Sequence, residues 1–397
     1  MPQLPIYMDN HSTTRVDPRV VESILPYFTE QYGNAGSTSH SFGWEAKDAV
    51  DRARETIAGA IDAVSREIVF TSGATESNNL ALRGIAERRR RKGNHIISAA
   101  TEHKAILDPL DRLSRGEFEI TYLPVKQNGE DDAGRIDVDQ LADAIRDDTM
   151  LVTIMLANNE TGVIQNLADI GRLCRERDVL LHTDATQAVG RIPVNVDALN
   201  IDLMSFSAHK MYGPKGIGAL YVRRSVRQVR LVSQIDGGGQ ERGMRSGTLN
   251  VPGIVGFGKA LELCASEMNE DAERLRAMRN SLWQQLASRI EDVGLNGPIL
   301  DDPALRLPGN LNVSFGNVDG EALMMSMRDL AVSSGSACTS TNPEPSHVLR
   351  AMGLSDELTR SSLRFGLGRF NTQEEVDYAV NLLEEAVGRL RGLQSTK

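Results

Sequence analysis

Short apolar runs alternate with amphipathic stretches along the first two thirds of the chain. The apolar run 151–157 has the length of a buried strand, and 169–177 has the pattern of a helix. Such an alternation is typical of a mostly parallel α/β sheet with helices on both faces. The predicted strands are 67–71, 95–99, 118–125, 151–157, 179–183, 202–206 and 219–222, and the predicted helices are 76–91, 138–146 and 169–177.

A change of pattern near Ala260 predicts a second, smaller unit. From 256 to 290 the pattern becomes mainly helical, and two short strand patterns follow. We therefore predict a large domain over 15–260 and a smaller α/β domain that combines 1–14 with 261–397. The two strand patterns are 310–315 and 331–333.

Composition indicates an ordinary globular protein. The chain has 397 residues, 40% of them hydrophobic and 25% charged, which is enough to bury a sizeable core without disulfides. The net charge of -10 argues against a surface that wraps nucleic acid. The basic run 88–92 fits the end of a helix, where cations complement the macrodipole, better than a nucleic-acid site.

No membrane span or secretory signal is expected. The longest apolar run, 151–157, is far shorter than the roughly 18 residues that a membrane helix needs. The N-terminus has no basic region followed by an apolar stretch, so we expect a cytoplasmic protein. Three widely separated cysteines fit reduced thiols better than a disulfide framework. The histidines and cysteines lack the spacing of metal ligands, so no metal site is expected.

Polar side chains follow several predicted strands, at the edge where α/β sheets place ligand crevices. Lys210 comes shortly after the strand 202–206 and before the glycine-rich stretch 213–218. A lysine in this position could form an imine if it lost its proton near neutral pH. That loss requires desolvation or cationic neighbours, and both are plausible where a core strand opens onto a cleft.

A possible anion site follows the strand that ends at Thr71. The stretch 72–76, which includes Ala74 and Thr75, supplies small residues and a hydroxyl at the start of a helix. Free N–H groups at a helix start favour phosphate. An ordinary capping turn, with Thr75 as the cap, explains the same residues about equally well.

Three further residues at strand ends each have a structural interpretation, and two of them also have a chemical one. Asp184 could cap a helix or pair with a protonated heterocycle nitrogen. His103 could be a structural histidine, or its ring could stack on a heterocycle or transfer protons. Asn159 is typical of a turn. Together with Lys210 and the phosphate cradle, however, these residues describe a site for pyridoxal 5'-phosphate.

These motifs make the chain resemble the cysteine desulfurases of the NifS and IscS branch, in the fold-type I, class V aminotransferase-like family. The resemblance covers nearly the whole chain and implies a pyridoxal-phosphate-dependent transferase. The matching motifs lie at 7–10, 72–76, 101–104, 184–187, 207–210, 245–248 and 333–338.

The resemblance also assigns roles to single residues. Lys210 is implied to hold the cofactor, Asp184 to pair with its pyridine nitrogen, and His103 to stack on its ring. Ala74 belongs to the same cofactor-binding set. The resemblance further implies phenolic-oxygen contacts from Asn159 and Gln187, phosphate contacts from Thr75, Ser207 and His209, and a phosphate contact from Thr248 of a second subunit in a homodimer.

Cys338 decides which reaction the resemblance implies. Its loop, 333–346, is rich in small residues and prolines, a composition that predicts an exposed and mobile segment. Cys174 and Cys264 instead recur with apolar neighbours at helical spacing and are predicted to lie on buried helix faces. Cys338 is therefore the candidate nucleophile.

The implied reaction is the removal of sulfur from L-cysteine. Arg364 and Asn34 match the family's residues for the substrate carboxylate, and a planar guanidinium suits that group. Lys210 would then move the α-proton, and His103 could assist proton transfer at the substrate thiol. Cys338 would take the sulfur as a persulfide and leave L-alanine. The sulfur would supply iron-sulfur cluster assembly and other thiolation pathways through an acceptor such as an iron-sulfur scaffold protein.

Two features depart from the family pattern, and other functions stay open. Asn34 lacks the proline that commonly follows it, and the chain stops at Lys397 without the longer tail of scaffold-docking relatives. Delivery of sulfur to a scaffold is therefore open. The alternatives are a selenocysteine lyase or an aminotransferase of the same fold, or a noncatalytic scaffold for iron-sulfur assembly.

Overall fold

A computed structural model describes residues 2–89, 92–334 and 344–394. Positions 90 and 91 of the basic run and positions 335–343, which include Cys338, lie outside the described residues. The strands are β1 (Ile6–Tyr7), β2 (Ile68–Thr71), β3 (His95–Ala99), β4 (Glu119–Leu123), β5 (Thr149–Thr153), β6 (Leu180–Asp184), β7 (Leu203–Ser207), β8 (Gly218–Val222), β9 (Val293–Asn296), β10 (Asn310–Phe315), β11 (Leu330–Ala331), β12 (Ser333–Ser334) and β13 (Ser362–Gly366).

Helices alternate with these strands over the first half of the chain and dominate its second half. They are α1 (Pro18–Ile24), α2 (Pro26–Thr29), α3 (Ser41–Gly59), α4 (Ala74–Arg89), α5 (Lys104–Ser114), α6 (Val138–Ala144), α7 (Leu167–Glu176), α8 (Val251–Arg289), α9 (Gly320–Met325), α10 (His347–Ala351), α11 (Asp356–Arg360) and α12 (Gln373–Gln394). Among the described residues, no helix is long and apolar enough to span a membrane.

The larger sheet has seven strands in the order β2-β8-β7-β6-β5-β3-β4. Strand β8 is antiparallel to both neighbours, whereas the other neighbouring pairs are parallel. The predicted mostly parallel α/β sheet is therefore confirmed. The six parallel strands end at one edge, where ligand crevices form in such sheets.

Predicted and observed strand limits differ most at β5. The sequence predicts a strand over 151–157, but the regular strand is Thr149–Thr153. Residues 154–157 stay buried, and the main-chain N–H groups of Ile154 and Leu156 still donate to strand β6. The apolar run continues past the residue where regular strand pairing ends, so the predicted strand extends too far toward the C-terminus.

A second apolar core lies around the four-stranded sheet β12-β13-β10-β9. Helix α8 serves both cores, because Phe257 packs in the core of the large sheet and Leu282 packs in the second core. Ile6 and Met8 also belong to the second core, and β1 pairs in parallel with β11. The division at 260 stays a prediction, since α8 passes through that position without a break.

A buried ion pair fixes β2 to the segment that precedes α8. Arg54 of α3 donates two hydrogen bonds to the carboxylate of Glu241, each 2.7 Å long. The main-chain N–H of Phe70 donates to the same carboxylate at 2.8 Å. The exposed fractions of the two charged side chains are 9% and 1%, so neither charge has much access to water.

We expect Glu241→Ala to destabilise the protein strongly, because it leaves the buried guanidinium of Arg54 without a counter-ion. The expected loss in the free energy of unfolding is about 3–5 kcal/mol, measured by urea titration. The matched control is Asp48→Ala, which breaks an ion pair with Arg52 in which both side chains are more than half exposed. That control should cost less than about 1 kcal/mol. Equal losses for the two variants would contradict the role of the buried pair.

Candidate active site

A cavity of about 570 Å³ lies at the edge where the parallel strands end. Ten of the residues predicted to bind cofactor or substrate line this cavity. They come from the start of α4, the residues after β3 and β5, the ends of β6 and β7, and strand β13. These ten are Ala74, Thr75, His103, Asn159, Asp184, Gln187, Ser207, His209, Lys210 and Arg364.

Lys210 lies in a single 3₁₀ turn that directly follows β7. Its Nζ donates to the main-chain oxygens of His11 and Ser12, both at 2.5 Å. Burial, followed by the positive charges of Arg191 and Arg364, lowers the pKa of Lys210 to about 7. A substantial fraction of this amine is therefore unprotonated at neutral pH, as a nucleophilic lysine requires.

Arg191 holds the main chain at Lys210 without lining the cavity, and sequence reasoning did not find it. Its Nη2 donates to the main-chain oxygens of Lys210 at 3.0 Å and Asn10 at 2.7 Å. Its Nη1 approaches Nδ1 of His11 to 2.6 Å, a contact in which the guanidinium is the donor. Burial and the charge of Arg191 hold the pKa of His11 well below its usual range. No motif marked either residue, because their roles arise from contacts across distant segments.

The predicted phosphate site, residues 72–76, consists of small residues and the first turn of α4. Helix α4 begins at Ala74, so Thr75 lies within its first turn and the interpretation of Thr75 as the helix cap is wrong. A Cβ atom added at Gly218 would lie 2.7 Å from the Cα of Gly73, so the close approach of β8 to this turn requires glycine. Sixteen residues of helix follow, and its first N–H groups are available to an anion.

The other two candidate phosphate ligands come from the end of β7. The hydroxyl of Ser207 donates to the main-chain oxygen of Ile217 at 3.3 Å. Nδ1 of His209 lies 3.1 Å from the hydroxyl of Thr13. Burial, with a smaller contribution from Lys210, lowers the pKa of His209 to about 4. His209 is therefore neutral at pH 7 and can offer a hydrogen bond without a full positive charge.

Asp184 ends β6 and faces the cavity. Its carboxylate accepts hydrogen bonds from the side-chain amide of Asn78 at 2.7 Å and from the main-chain N–H of Thr186 at 3.0 Å. The chain continues into turns rather than a helix, so the helix-cap interpretation of Asp184 is wrong. Sequence reasoning missed Asn78, which lies in the interior of α4 and carries no signal of its own.

His103 serves the fold and also lines the cavity. It is the N-cap of α5, where its Nδ1 accepts a hydrogen bond from the main-chain N–H of Ala105 at 3.0 Å. Burial lowers the pKa of His103. The adjacent Glu102 is fully buried, and burial raises its pKa well above the usual range. Its carboxyl oxygen accepts from the main-chain N–H of Met155 at 2.6 Å, which fixes another residue of the cavity.

Arg364 and Gln187 both line the cavity, and each is held by a neighbouring segment. Nη1 of Arg364 donates to the main-chain oxygen of Asn159 at 3.0 Å. The side-chain amide of Gln187 donates to the main-chain oxygen of His11 at 2.9 Å, and its oxygen accepts from Arg191 at 3.2 Å. Both residues are therefore held by contacts with neighbouring segments before any ligand binds.

Three predicted site residues are not among those that line the cavity. Asn34 is exposed, and its side-chain oxygen accepts from the main-chain N–H of Gly36 at 2.9 Å. Thr248 is exposed on the surface of its own chain. Cys338 lies outside the described residues.

The other two cysteines are buried free thiols on helices, as predicted. Burial raises the pKa of Cys174 to about 12 and that of Cys264 to about 11, so both stay protonated at neutral pH. Within the described residues, no cluster of three or more histidine, cysteine, aspartate or glutamate side chains is arranged to hold a metal ion.

Known proteins resemble this chain over almost its full length. The family model described as "Aminotransferase class-V" matches residues 6–379. "Cysteine desulfurase IscS" of Anaeromyxobacter dehalogenans is 57% identical over 389 residues, which cover 98% of this chain and 94% of the relative. The solved structure titled "NIFS-LIKE PROTEIN" has a TM-score of 0.88 and 38% identity, and the match covers 98% of this chain and 100% of that one. The structure titled "SspA in complex with cysteine" has a TM-score of 0.79 and 39% identity, with coverage of 92% and 99%.

The low pKa of Lys210 predicts a distinctive pH profile for its reactivity. In the ligand-free protein, the rate of Lys210 acetylation by acetic anhydride should rise from about pH 6 and level off above about pH 8, because the unprotonated fraction saturates there. Mass spectrometry of the Lys210 peptide measures this rate, with the exposed Lys47 as an internal reference. Arg191→Gln should move the midpoint upward, because it removes a neighbouring positive charge. A profile identical to that of Lys47 would refute the prediction.

Proposed function

The chain belongs to the class-V aminotransferase family and is a cysteine desulfurase, and on this basis we propose that it holds pyridoxal 5'-phosphate at Lys210 and transfers sulfur to Cys338. This proposal rests above all on one arrangement. The buried amine of Lys210, with its pKa lowered to about 7, shares a cavity with the carboxylate of Asp184 and the guanidinium of Arg364.

The residues of the cavity fit the cofactor at each of its functional groups. Lys210 supplies an amine for the aldehyde, and Asp184, held by two hydrogen-bond donors, supplies a carboxylate for the pyridine nitrogen. The start of α4 supplies N–H groups for the phosphate. The buried hydroxyl of Thr186 also lines the cavity and has no partner among the described residues, so it is available to a ligand.

Several side chains of the cavity then have a proposed role toward the cofactor. His103 would lie against the ring, Asn159 and Gln187 would contact the phenolic oxygen, and the phosphate would bind at the start of α4. The bound cofactor supplies an electron sink that stabilises negative charge at the substrate's α-carbon. The proposed phosphate ligands are the Ala74–Thr75 turn, Ser207 and His209.

Lys210 is the residue that we propose moves the proton at the substrate's α-carbon. A pKa of about 7 is well suited to a group that must both accept and donate a proton at neutral pH. Arg364 would bind the substrate carboxylate, and Asn34 is proposed to assist it. His103, whose pKa is lowered by burial, is neutral at pH 7 and can accept a proton near the substrate thiol.

The proposed sulfur transfer takes place between two sulfur atoms. The thiolate of Cys338 attacks the sulfur of L-cysteine, an S–S bond forms, and the C–S bond of the substrate breaks. The electron pair of that bond stays on the substrate carbon, which takes up the thiol proton. The products are L-alanine and a persulfide on Cys338.

We propose that the persulfide sulfur passes to an acceptor protein in the cytoplasm, such as a scaffold for iron-sulfur cluster assembly. Cys174 and Cys264 are free thiols, which supports a reducing compartment. The terminal sulfur of a persulfide is transferred by attack of an acceptor thiolate, so the acceptor needs a free cysteine.

Replacing Cys338 tests the persulfide step directly. Cys338→Ala should lower the rate of alanine formation from L-cysteine on the order of 100-fold or more, because the sulfur loses its acceptor. The visible absorbance of the bound cofactor should remain, since Cys338 does not hold the cofactor. Mass spectrometry of the wild-type protein after turnover should find one added sulfur atom on Cys338.

The matched control for this experiment is Cys174→Ala. Its thiol is buried in α7 and, with a pKa of about 12, is not a nucleophile at neutral pH. This variant should keep both alanine formation and the added sulfur on Cys338. Unchanged alanine formation in Cys338→Ala would sink the proposed mechanism.

We further propose a homodimer in which Thr248 contacts the phosphate bound by the other subunit. Thr248 is exposed and does not line the cavity of its own chain, which supports a contact across an interface. The chain also exposes large apolar side chains around α2 and the start of α3, and such groups favour burial against a second copy. They are Leu25, Phe28, Tyr32, Phe42 and Trp44, each between 45% and 63% exposed.

Mixed dimers distinguish a shared site from a self-contained one. Lys210→Ala should abolish activity, and Thr248→Ala should weaken cofactor binding about tenfold through the loss of a phosphate contact. Co-refolded or co-expressed mixtures of the two variants should recover cofactor affinity and activity in one site of each mixed dimer. That site combines Lys210 of one chain with Thr248 of the other. No recovery in isolated mixed dimers would show that Thr248 acts within its own chain or not at all.

A further inference from the structure

The guanidinium of Arg364 is held by groups of its own chain. Nη2 donates to Oδ1 of Asp9 at 2.8 Å, to Oγ of Ser12 at 2.7 Å and to Oγ of Ser333 at 2.9 Å. Nη1 donates to the main-chain oxygen of Asn159 at 3.0 Å. One nitrogen of a guanidinium carries only two N–H groups, so three acceptors compete for Nη2. Nε is buried and has no partner among the described residues.

Asp9 differs from the two serines in how firmly it is placed. Its backbone is bridged to Gly366, and hydrogen bonds from the N–H of Gly366 to Met8 and from the N–H of Asn10 to Gly366 flank that bridge. Its carboxylate makes a charge-assisted hydrogen bond to Arg364, roughly twice as strong as one between neutral groups. The hydroxyl of Ser12 can turn about a single bond, and that of Ser333 is itself held by Asp9. Asp9 is therefore the fixed acceptor for Nη2.

Ser333 is in turn oriented by Asp9. Its hydroxyl donates to Oδ1 of Asp9 at 2.8 Å, so one carboxylate oxygen receives hydrogen bonds from both Arg364 and Ser333. The three residues come from the segment after β1, from β12 and from β13. The position of the guanidinium thus depends on a contact between segments far apart in sequence.

We propose that Asp9 is a positioning residue that fixes the guanidinium of Arg364, so that its remaining N–H groups are available to the carboxylate of L-cysteine. The inference rests on the proposed role of Arg364 in binding that carboxylate. When the substrate binds, the hydroxyls of Ser12 and Ser333 give way to its oxygens, while Asp9 stays bound to Nη2. Asp9 then acts through Arg364 and does not itself touch the substrate.

The first test measures the restraint on Arg364 in the protein without cofactor. Phenylglyoxal modifies guanidinium groups, and mass spectrometry of the Arg364 peptide gives the rate. Asp9→Ala should raise this rate about tenfold, because the charge-assisted hydrogen bond is lost. Asp9→Asn keeps an acceptor at the same position and should return the rate to within about threefold of wild type. Arg115, whose side chain is 76% exposed, is the internal reference in the same digest.

The second test measures whether the contact between Asp9 and Arg364 contributes to recognition of the carboxylate of L-cysteine. Cysteamine has the amine and thiol of L-cysteine without its carboxylate. Asp9→Ala should lower the preference for L-cysteine over cysteamine, measured as the ratio of kcat/KM values, by about tenfold, and Asp9→Asn should largely restore it. Turnover of cysteamine itself should stay unchanged.

Asp271→Ala is the matched control for both tests. Asp271 binds Nε of Arg369 at 3.0 Å, and its side chain is 20% exposed, close to the 18% of Asp9. This variant should leave the preference for L-cysteine and the modification of Arg364 unchanged. Equal losses on both substrates in Asp9→Ala, or no rescue by Asp9→Asn, would overturn the positioning role.

The outcomes also separate the role of Asp9 from that of Arg364. If the wild-type enzyme showed no preference for L-cysteine over cysteamine, the proposed role of Arg364 would be wrong. The positioning role of Asp9 would then be wrong as well. A wild-type preference that Asp9→Ala leaves intact would overturn the role of Asp9 alone.

Discussion

The segment 6–14 joins the second apolar core to the active site, and the arrangement of the cavity depends on it. Ile6 and Met8 are buried in the second core. A few residues later, the main-chain oxygens of His11 and Ser12 accept the hydrogen bonds of Lys210. An added Cβ at Gly366 would lie 2.8 Å from the main-chain nitrogen of His11, so this close approach needs glycine. A shift of this short segment would therefore disturb the lysine directly.

Several charged side chains surround Lys210 in a region that is largely buried from water. Arg191 and Arg364 both lower the pKa of Lys210, whereas Asp9 and Asp184 act in the opposite direction. Burial is the largest cause of the shift, and it also strengthens each of these charge interactions, because the local dielectric is lower than that of water. Lys210 therefore owes its lowered pKa to its surroundings as much as to its place after a strand.

The sequence was a good guide wherever one local pattern decides the outcome. Strands β3 and β10 have the limits that the pattern predicted, and the residues at the ends of parallel strands do meet in one cavity. The sequence was a poorer guide to helix caps and to hydrogen-bond partners that lie far apart in the chain. Thr75 and Asp184 are not helix caps, because the start of α4 and the turns after β6 depend on neighbouring segments. His11 and Arg191 carry no motif of their own, since their contacts span about 180 residues.

By itself, the sequence determined the fold class, the residues offered at each strand end, and the ordered motifs that indicate a cysteine desulfurase. The fold class and the polar residues at strand ends follow from local periodicity and residue type, which one stretch of chain contains in full. The motifs indicate the family through their resemblance to the cysteine desulfurases. Only the tertiary structure decided which charges lie beside Lys210, that Arg364 is already bound to Asp9, and that Thr248 does not line the cavity of its own chain. Those properties arise from distances between residues far apart in the chain, and no local pattern encodes such distances.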